Sequence, residues 1–334
     1  MDIVRWGLIG SGEIARKAVV PAFSELETCS LTCVASRQPE KAAAFSRDSG
    51  AKRWYTRWED LIRDEEIDAV YIATPHYLHA EQAIAAAESG KHVLCEKPMA
   101  LNGDQCRAMI RACAGAGAGV KLGVAYYRRF YPLLKRIKTL LAEGAIGTAS
   151  LCQINSFTWY DLQPGDPQYW LFQPEKSGGG PLMIGGCHRI ELLLNLFGAI
   201  SETVSVKGNV HAQRDIEDTA AAVFRHAAGP LSVLCMSHSI RESSDTLHVF
   251  GSAGSIHVPA LNRGEMLLTY GGQTETECHP AHKNSHLPLI RSFCQSVLKG
   301  EDPVVDGSLG LEVQLVEDAI YAAPASAAPV RAHV

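Results

Sequence analysis

An apolar run, Val4-Arg5-Trp6-Gly7-Leu8-Ile9, stops abruptly at Gly10-Ser11-Gly12, and a helix-compatible stretch from Glu13 through Lys17 follows at once. Few short patterns restrict a fold so tightly. Read as G-x-G-x-x-A, Gly10 permits a tight strand-to-helix turn, Gly12 leaves the backbone bare for a pyrophosphate, and Ala15 lets helix and strand pack closely. The helix start then offers unpaired N–H groups and the positive end of a dipole to phosphate. On this reading Gly10, Ser11, Gly12, Glu13 and Ile14 face a dinucleotide. An ordinary strand–turn–helix with unrelated glycines would look the same locally, so the rest of the chain has to decide.

The next stretch repeats the strand–helix alternation. Residues 31–35, 69–73, 92–95 and 121–125 read as buried strands, and residues 40–47, 58–63, 79–89 and 102–114 as helices. This spacing predicts an α/β fold with a parallel, doubly wound sheet. Ligands of such sheets sit beyond the carboxyl ends of the strands, which puts the weight on Gly10, Ser36, Thr74, Glu96 and Tyr126. An NAD-binding unit closes its second strand with an acidic residue that holds the ribose hydroxyls. Here Ser36 and Arg37 stand in that place. A hydroxyl beside a guanidinium suits a 2′-phosphate, so NADP is expected, with NAD as the alternative. A solvated loop charge is the other reading of Arg37.

Lys97 follows a buried strand and precedes Pro98. A lysine at the mouth of a dinucleotide crevice can donate to a substrate oxygen; it can also be a surface lysine pairing with Glu96.

Three segments together resemble one family. Gly7 to Ala15, the run Ala73-Thr74-Pro75-His76-Tyr77-Leu78-His79, and Gly90-Lys91-His92-Val93-Leu94-Cys95-Glu96-Lys97-Pro98-Met99-Ala100 are similar to the glucose–fructose oxidoreductase / inositol dehydrogenase / rhizopine-catabolism (Gfo/Idh/MocA) family. The likeness continues to the C-terminus. It implies an N-terminal Rossmann domain, here 1–123, and a C-terminal α/β domain, here 124–334, with an open, mostly antiparallel sheet. That second domain would bind substrate, with the sheet covering the nicotinamide, and would join subunits into a dimer or tetramer. The resemblance implies oxidation or reduction of sugars, polyols and related carbonyl compounds with NAD(P). It places Lys97 in the catalytic set, and Glu96 with the turn Thr74, Pro75, His76 and His79 along the cofactor.

In the second half, Tyr126 and Arg128 mark the crossing between domains and are candidate pocket residues; packing and a surface charge cluster explain them equally. Trp159, Tyr160, Tyr169 and Trp170, with Asp161 next to Tyr160, supply aromatics that suit sugar stacking, a subunit interface or a core. Strands are expected at 149–158, 219–224, 231–237, 246–250 and 255–258, and helices at 132–143, 287–298 and 309–322. The stretch Gly178-Gly179-Gly180 through His188 leads into an apolar helix. A histidine at such a helix start is a general acid/base candidate, or a satisfied core histidine. The family pattern is G-G-G-x-x-x-D-x-G-x-H. His188 matches the final position, Gly186 matches the glycine, and Ile184 stands where the pattern has aspartate.

The remaining features exclude more than they assign. A net charge of −5 without like-charge blocks argues against a nucleic-acid or membrane surface. No apolar run reaches bilayer length, and Met1 leads straight into Asp2 and the first strand, so a cytoplasmic protein is expected. Ten cysteines without C-x-x-C pairs read as reduced thiols. Cys278, His279, His282 and His286 fall close together, but Pro280 interrupts them; a polar loop is expected there and no metal. Function then divides three ways: an NADP-dependent oxidoreductase of a small carbohydrate-like substrate, a non-catalytic dinucleotide sensor, or redox-assisted glycoside hydrolysis. Intact Lys97 and His188 favour the enzymes, and Ile184 favours the sensor.

Overall fold

The computed structural model describes residues 2–117 and 119–322. They pack into two compact units: Met1–Phe130 with His282–Gln314, and Tyr131–Ala281 with the described part of the chain from Leu315.

The first unit holds β1 (Val4–Ile9), α1 (Val20–Glu25), β2 (Cys29–Ala35), α2 (Pro39–Ser49), β3 (Arg53–Tyr55), α3 (Trp58–Ile62), β4 (Ala69–Ile72), α4 (His79–Glu88), β5 (His92–Cys95), α5 (Gly103–Gly115) and β6 (Leu122–Val124). Its sheet runs β3-β2-β1-β4-β5-β6, and every pairing is parallel. β4 and β5 are nearly continuous apolar runs, as a sheet covered on both faces requires. Trp6 of β1 anchors the core: its ring stacks on Phe23 at 5.0 Å and meets Tyr71 and Phe293 at 6.4 and 5.7 Å.

The second unit holds α6 (Pro132–Ala142), β7 (Ala149–Trp159), α7 (Pro174–Ser177), α8 (Cys187–Phe197), β8 (Ile200–Gly208), β9 (Thr219–His226), β10 (Leu231–Ser237), β11 (Ser239–Gly251), β12 (Gly254–Val258), β13 (Glu265–Tyr270) and β14 (Gln273–Cys278). Its eight strands run β14-β13-β12-β11-β7-β10-β9-β8. Only the β10–β7 pairing is parallel. Ala220, Ala222 and Phe224 of β9 and Leu234 and Met236 of β10 turn inward. On the other face Val204 pairs with Val223, and Val204 and Val206 are 71% and 64% exposed.

The chain then gives α9 (Leu287–Lys299) and α10 (Gly307–Ala322). Ile290, Phe293 and Cys294 of α9 belong to the core cluster of Val4, Trp6 and Phe23. The apolar stripe of α9 has its partners in the first unit and carries 282–314 back there, and Tyr126 to Phe130 also remain in that unit. Among the described residues no helix is long and apolar enough to cross a membrane. None of the ten cysteines forms a disulfide.

Candidate active site

The glycine loop is built as its residues demand. Gly10 ends β1 at φ +105°, and a Cβ there would run into the Ala73 carbonyl. Its N–H donates to the Ala35 carbonyl at 3.0 Å. A Cβ on Gly12 would meet nothing within 4 Å, so the loop is bare on that side. Ala15 is fully buried, and a π turn over Ala15–Val19 carries the helix into α1. Glu13 is exposed and pairs with Lys17 one turn on. Ser36, at the end of β2, lies 2.9 Å from Ser11, hydroxyl to hydroxyl. Arg37 is exposed beside it.

Two further strand ends stand next in the sheet. After β4 come Thr74 and Pro75, a 3-10 turn over His76–Leu78, and α4. Thr74 donates its hydroxyl to Gln82 at 2.7 Å. His79 is buried, with Nε2 2.8 Å from the Thr74 carbonyl and Nδ1 2.9 Å from the Pro98 carbonyl. It therefore staples the turn after β4 to the turn after β5. Burial holds its pKa below the usual histidine value, against the pull of those two carbonyls.

After β5, Glu96 is buried and Lys97 half-buried; the Lys97–Pro98 peptide is cis. Glu96 accepts from the Tyr71 hydroxyl at 2.8 Å, from His286 Nε2 at 3.2 Å and from the Lys97 backbone N–H at 3.3 Å. Burial alone would raise this carboxyl, but His286, the Lys97 charge and Tyr71 outweigh it and hold the pKa at about 2. Tyr71 is pushed well up by burial and by the Glu96 charge. Tyr71 and His286 went unrecognised as parts of this site. His286 stood out in the sequence only within a Cys/His cluster, and its partner is 190 residues away. Tyr126 and Arg128 are both buried, so the surface charge cluster is not what Arg128 belongs to.

In the second unit the glycine run has an internal cause. A Cβ on Gly179 would strike the Tyr321 phenol, and one on Gly180 the Glu217 carbonyl. Glu217 accepts from the Gly180 N–H at 3.0 Å and from the Tyr321 hydroxyl at 2.6 Å. A π turn over Leu182–Gly186 then leads into α8, where His188 is buried. The π turn contains Ile184 and ends two residues before His188. Ile184 is 8% exposed and clusters with Leu171, Phe172 and Ile216; Tyr160, Tyr169 and Trp170 pack against them. These aromatics are thus half-buried around an apolar knot. Tyr160 also lies against His238, ring to ring at 4.4 Å. Asp161 is exposed. Of the Cys/His cluster, His279 pairs with Glu277 and His286 with Glu96. Among the described residues no group of three or more His, Cys, Asp or Glu could hold a metal ion.

Comparison with known proteins agrees with this architecture. Residues 4–125 match the family described as "Oxidoreductase family, NAD-binding Rossmann fold", and residues 134–257 match the "GFO/IDH/MocA C-terminal domain". The scyllo-inositol 2-dehydrogenase (NADP(+)) of Bacillus subtilis (strain 168) is 34% identical over 266 residues, 79% of this chain and 78% of that protein. The chain belongs to the Gfo/Idh/MocA oxidoreductase family.

Two solved Gfo/Idh/MocA-like structures show how far the likeness extends. A levoglucosan dehydrogenase in complex with NADH and levoglucosan superposes with a TM-score of 0.86 at 26% identity, covering 95% of this chain and 96% of that one. The aldose-aldose oxidoreductase of Caulobacter crescentus complexed with glycerol gives 0.86 at 28% identity, covering 96% of each chain. The chain is an oxidoreductase on an α/β scaffold of one parallel Rossmann sheet and one mostly antiparallel sheet.

Proposed function

We propose that this Gfo/Idh/MocA oxidoreductase interconverts a hydroxyl and a carbonyl on a sugar, polyol or related small compound, using NADP(H) in preference to NAD(H). The observation that carries the reading is the row of strand ends in the first unit. Adjacent strands present Ser36-Arg37, then Gly10-Ser11-Gly12, then Thr74, then Glu96-Lys97. Those residues fit a dinucleotide. Gly12 is open where a pyrophosphate would lie, and Ser36 with exposed Arg37 supplies a hydroxyl and a cation for a 2′-phosphate. Gly10 to Ile14, Ser36, Arg37, Thr74, Pro75, His76, His79 and Glu96 would hold it.

When bound, the nicotinamide supplies the hydride acceptor or donor. The chain's own share is the proton. Lys97 can hold one at the substrate oxygen, since its turn is fixed by Glu96 and by the His79 staple. His188, at the head of α8, is assigned the same work in the second unit, with Tyr126, Arg128, Tyr160 and Ile184 as substrate-facing candidates. The named relatives support the substrate class; NADP(+) stands in the name of the inositol dehydrogenase and NADH in that of the levoglucosan complex. The exposed valines of β8 support a homo-oligomer, and cysteines outside any disulfide suit a reducing compartment such as the cytoplasm.

The test is a panel of aldoses, inositols, linear polyols and anhydrosugars with NADP⁺ and NAD⁺, followed by nicotinamide absorbance. Turnover with NADP⁺ on at least one member is the expected result. Tight nucleotide binding with no turnover on any member would point to the sensor reading, which the apolar packing of Ile184 favours.

A further inference from the structure

The segment just before α9 bridges two parts of the first unit that the dinucleotide reading keeps apart. Asn284 donates from its side-chain amide to the carbonyl of Ala18 at 2.9 Å. Ala18 lies in the π turn of the helix that starts at the glycine loop. The Asn284 side-chain oxygen accepts the backbone N–H of His286 at 3.0 Å. His286 is 1% exposed; its ring lies against the Tyr127 ring at 4.6 Å and has Nδ1 3.3 Å from the Ser285 hydroxyl. Its Nε2 donates to Glu96 Oε1, the oxygen that also accepts from Tyr71. Glu96 Oε2 accepts the backbone N–H of Lys97.

A carboxylate this deeply buried keeps its position only while its donors are in place. Tyr71 comes from β4 and the Lys97 amide from the turn itself; His286 is the donor brought in from outside the sheet. Its ring is clamped by Tyr127 and its backbone by Asn284, so it is a rigid support.

We propose that Asn284–His286 is a strap that positions Lys97. Asn284 fastens it to the glycine-loop helix, and His286 fixes Glu96 and through it the Lys97 turn. His286 is thus a positioning residue for the reaction proposed above, and the inference rests on that assignment of Lys97. It also links the two ends of the dinucleotide site, so the phosphate end and the proton-handling end are set by one piece of chain.

The test compares His286→Leu, His286→Gln and Asn284→Ala in the full chain. Two readouts are used: backbone hydrogen exchange by mass spectrometry, and kcat and KM on a substrate of the unmodified protein. In His286→Leu, exchange should quicken at 95–98 while β1 and β2 keep their protection. kcat should fall by about 10²-fold, the scale of a small misplacement of a reacting group, with KM for the nucleotide changed by less than about threefold. His286→Gln keeps an N–H donor toward Glu96 and should recover most of kcat. Asn284→Ala should quicken exchange at both 15–19 and 95–98. Equal losses in His286→Leu and His286→Gln, or unchanged exchange at 95–98 with kcat within about twofold, would overturn the strap. If His286→Leu does not fold, the Gln and Asn284→Ala variants decide by the same criteria. If the unmodified chain turns over nothing on the panel, the substrate reading fails by itself, and the exchange measurement still decides whether the strap fixes the Lys97 turn.

Discussion

Ser11 and Ser36 meet hydroxyl to hydroxyl at 2.9 Å, tying the glycine loop to the end of β2. The tie fixes the spot from which Arg37 projects, exposed and next in sequence. Arg37→Ala should therefore weaken NADPH more than NADH. A charge-assisted contact is worth roughly 1.5–3 kcal/mol, so the NADPH Kd should rise at least about tenfold in a fluorescence titration. Equal losses for both nucleotides, or tighter NADH binding by the unmodified protein, would contradict the NADP assignment.

Gly10 and Gly12 should respond differently to alanine. Gly10 has φ +105° and the Ala73 carbonyl in the way, so Gly10→Ala should lower the unfolding free energy by about 1–3 kcal/mol. Gly12→Ala has room in the free protein; it should keep its Tm and lose nucleotide affinity. Urea unfolding and nucleotide titration of the pair separate a backbone demand from a ligand demand.

The first unit was largely legible because its signals are local. Glycines at fixed offsets, apolar strands and a proline-fixed turn each read within a dozen residues. The second sheet was read only in part. β14 is Gln-Thr-Glu-Thr-Glu-Cys, with no apolar face to show a strand, and β8 turns its valines toward solvent, which reverses the usual pattern. The support beneath Lys97 could not be read locally. Tyr71, Glu96 and His286 lie far apart in the chain, and only the return of α9 brings them together. The glycines before His188 also answer a distant need, since Tyr321 and Glu217 leave no room for side chains at Gly179 and Gly180.

Ile184 sits in an apolar knot with Leu171, Phe172 and Ile216. Ile184→Asp should cost about 2–4 kcal/mol of stability by placing a carboxylate there. If the family's aspartate was a working partner of His188, the same variant should gain turnover on polyols with NADP⁺ and show a moved pH optimum. Lower Tm with no gain on any substrate would make Ile184 a packing residue alone.

The buried Glu96 also makes a pH prediction. Its carboxyl titrates at about 2 in the fold against an ordinary 4.5. A depressed acid contributes stability that is fully present above its ordinary value and is lost as pH falls toward the folded one. Urea unfolding should therefore show stability dropping between about pH 4.5 and pH 2, with a shallower drop in Glu96→Gln. Parallel curves would mean that the carboxylate is not held ionised by its neighbours.

Lys97 carries the account, and Lys97→Met tests it most directly. On any substrate of the unmodified protein, kcat should fall by about 10²–10⁴-fold, the usual contribution of a positioned acid–base group. The nucleotide Kd and the Tm should stay close to those of the unmodified protein. A variant that binds nucleotide normally and keeps near-normal kcat would remove Lys97 from the proton path and contradict the mechanism.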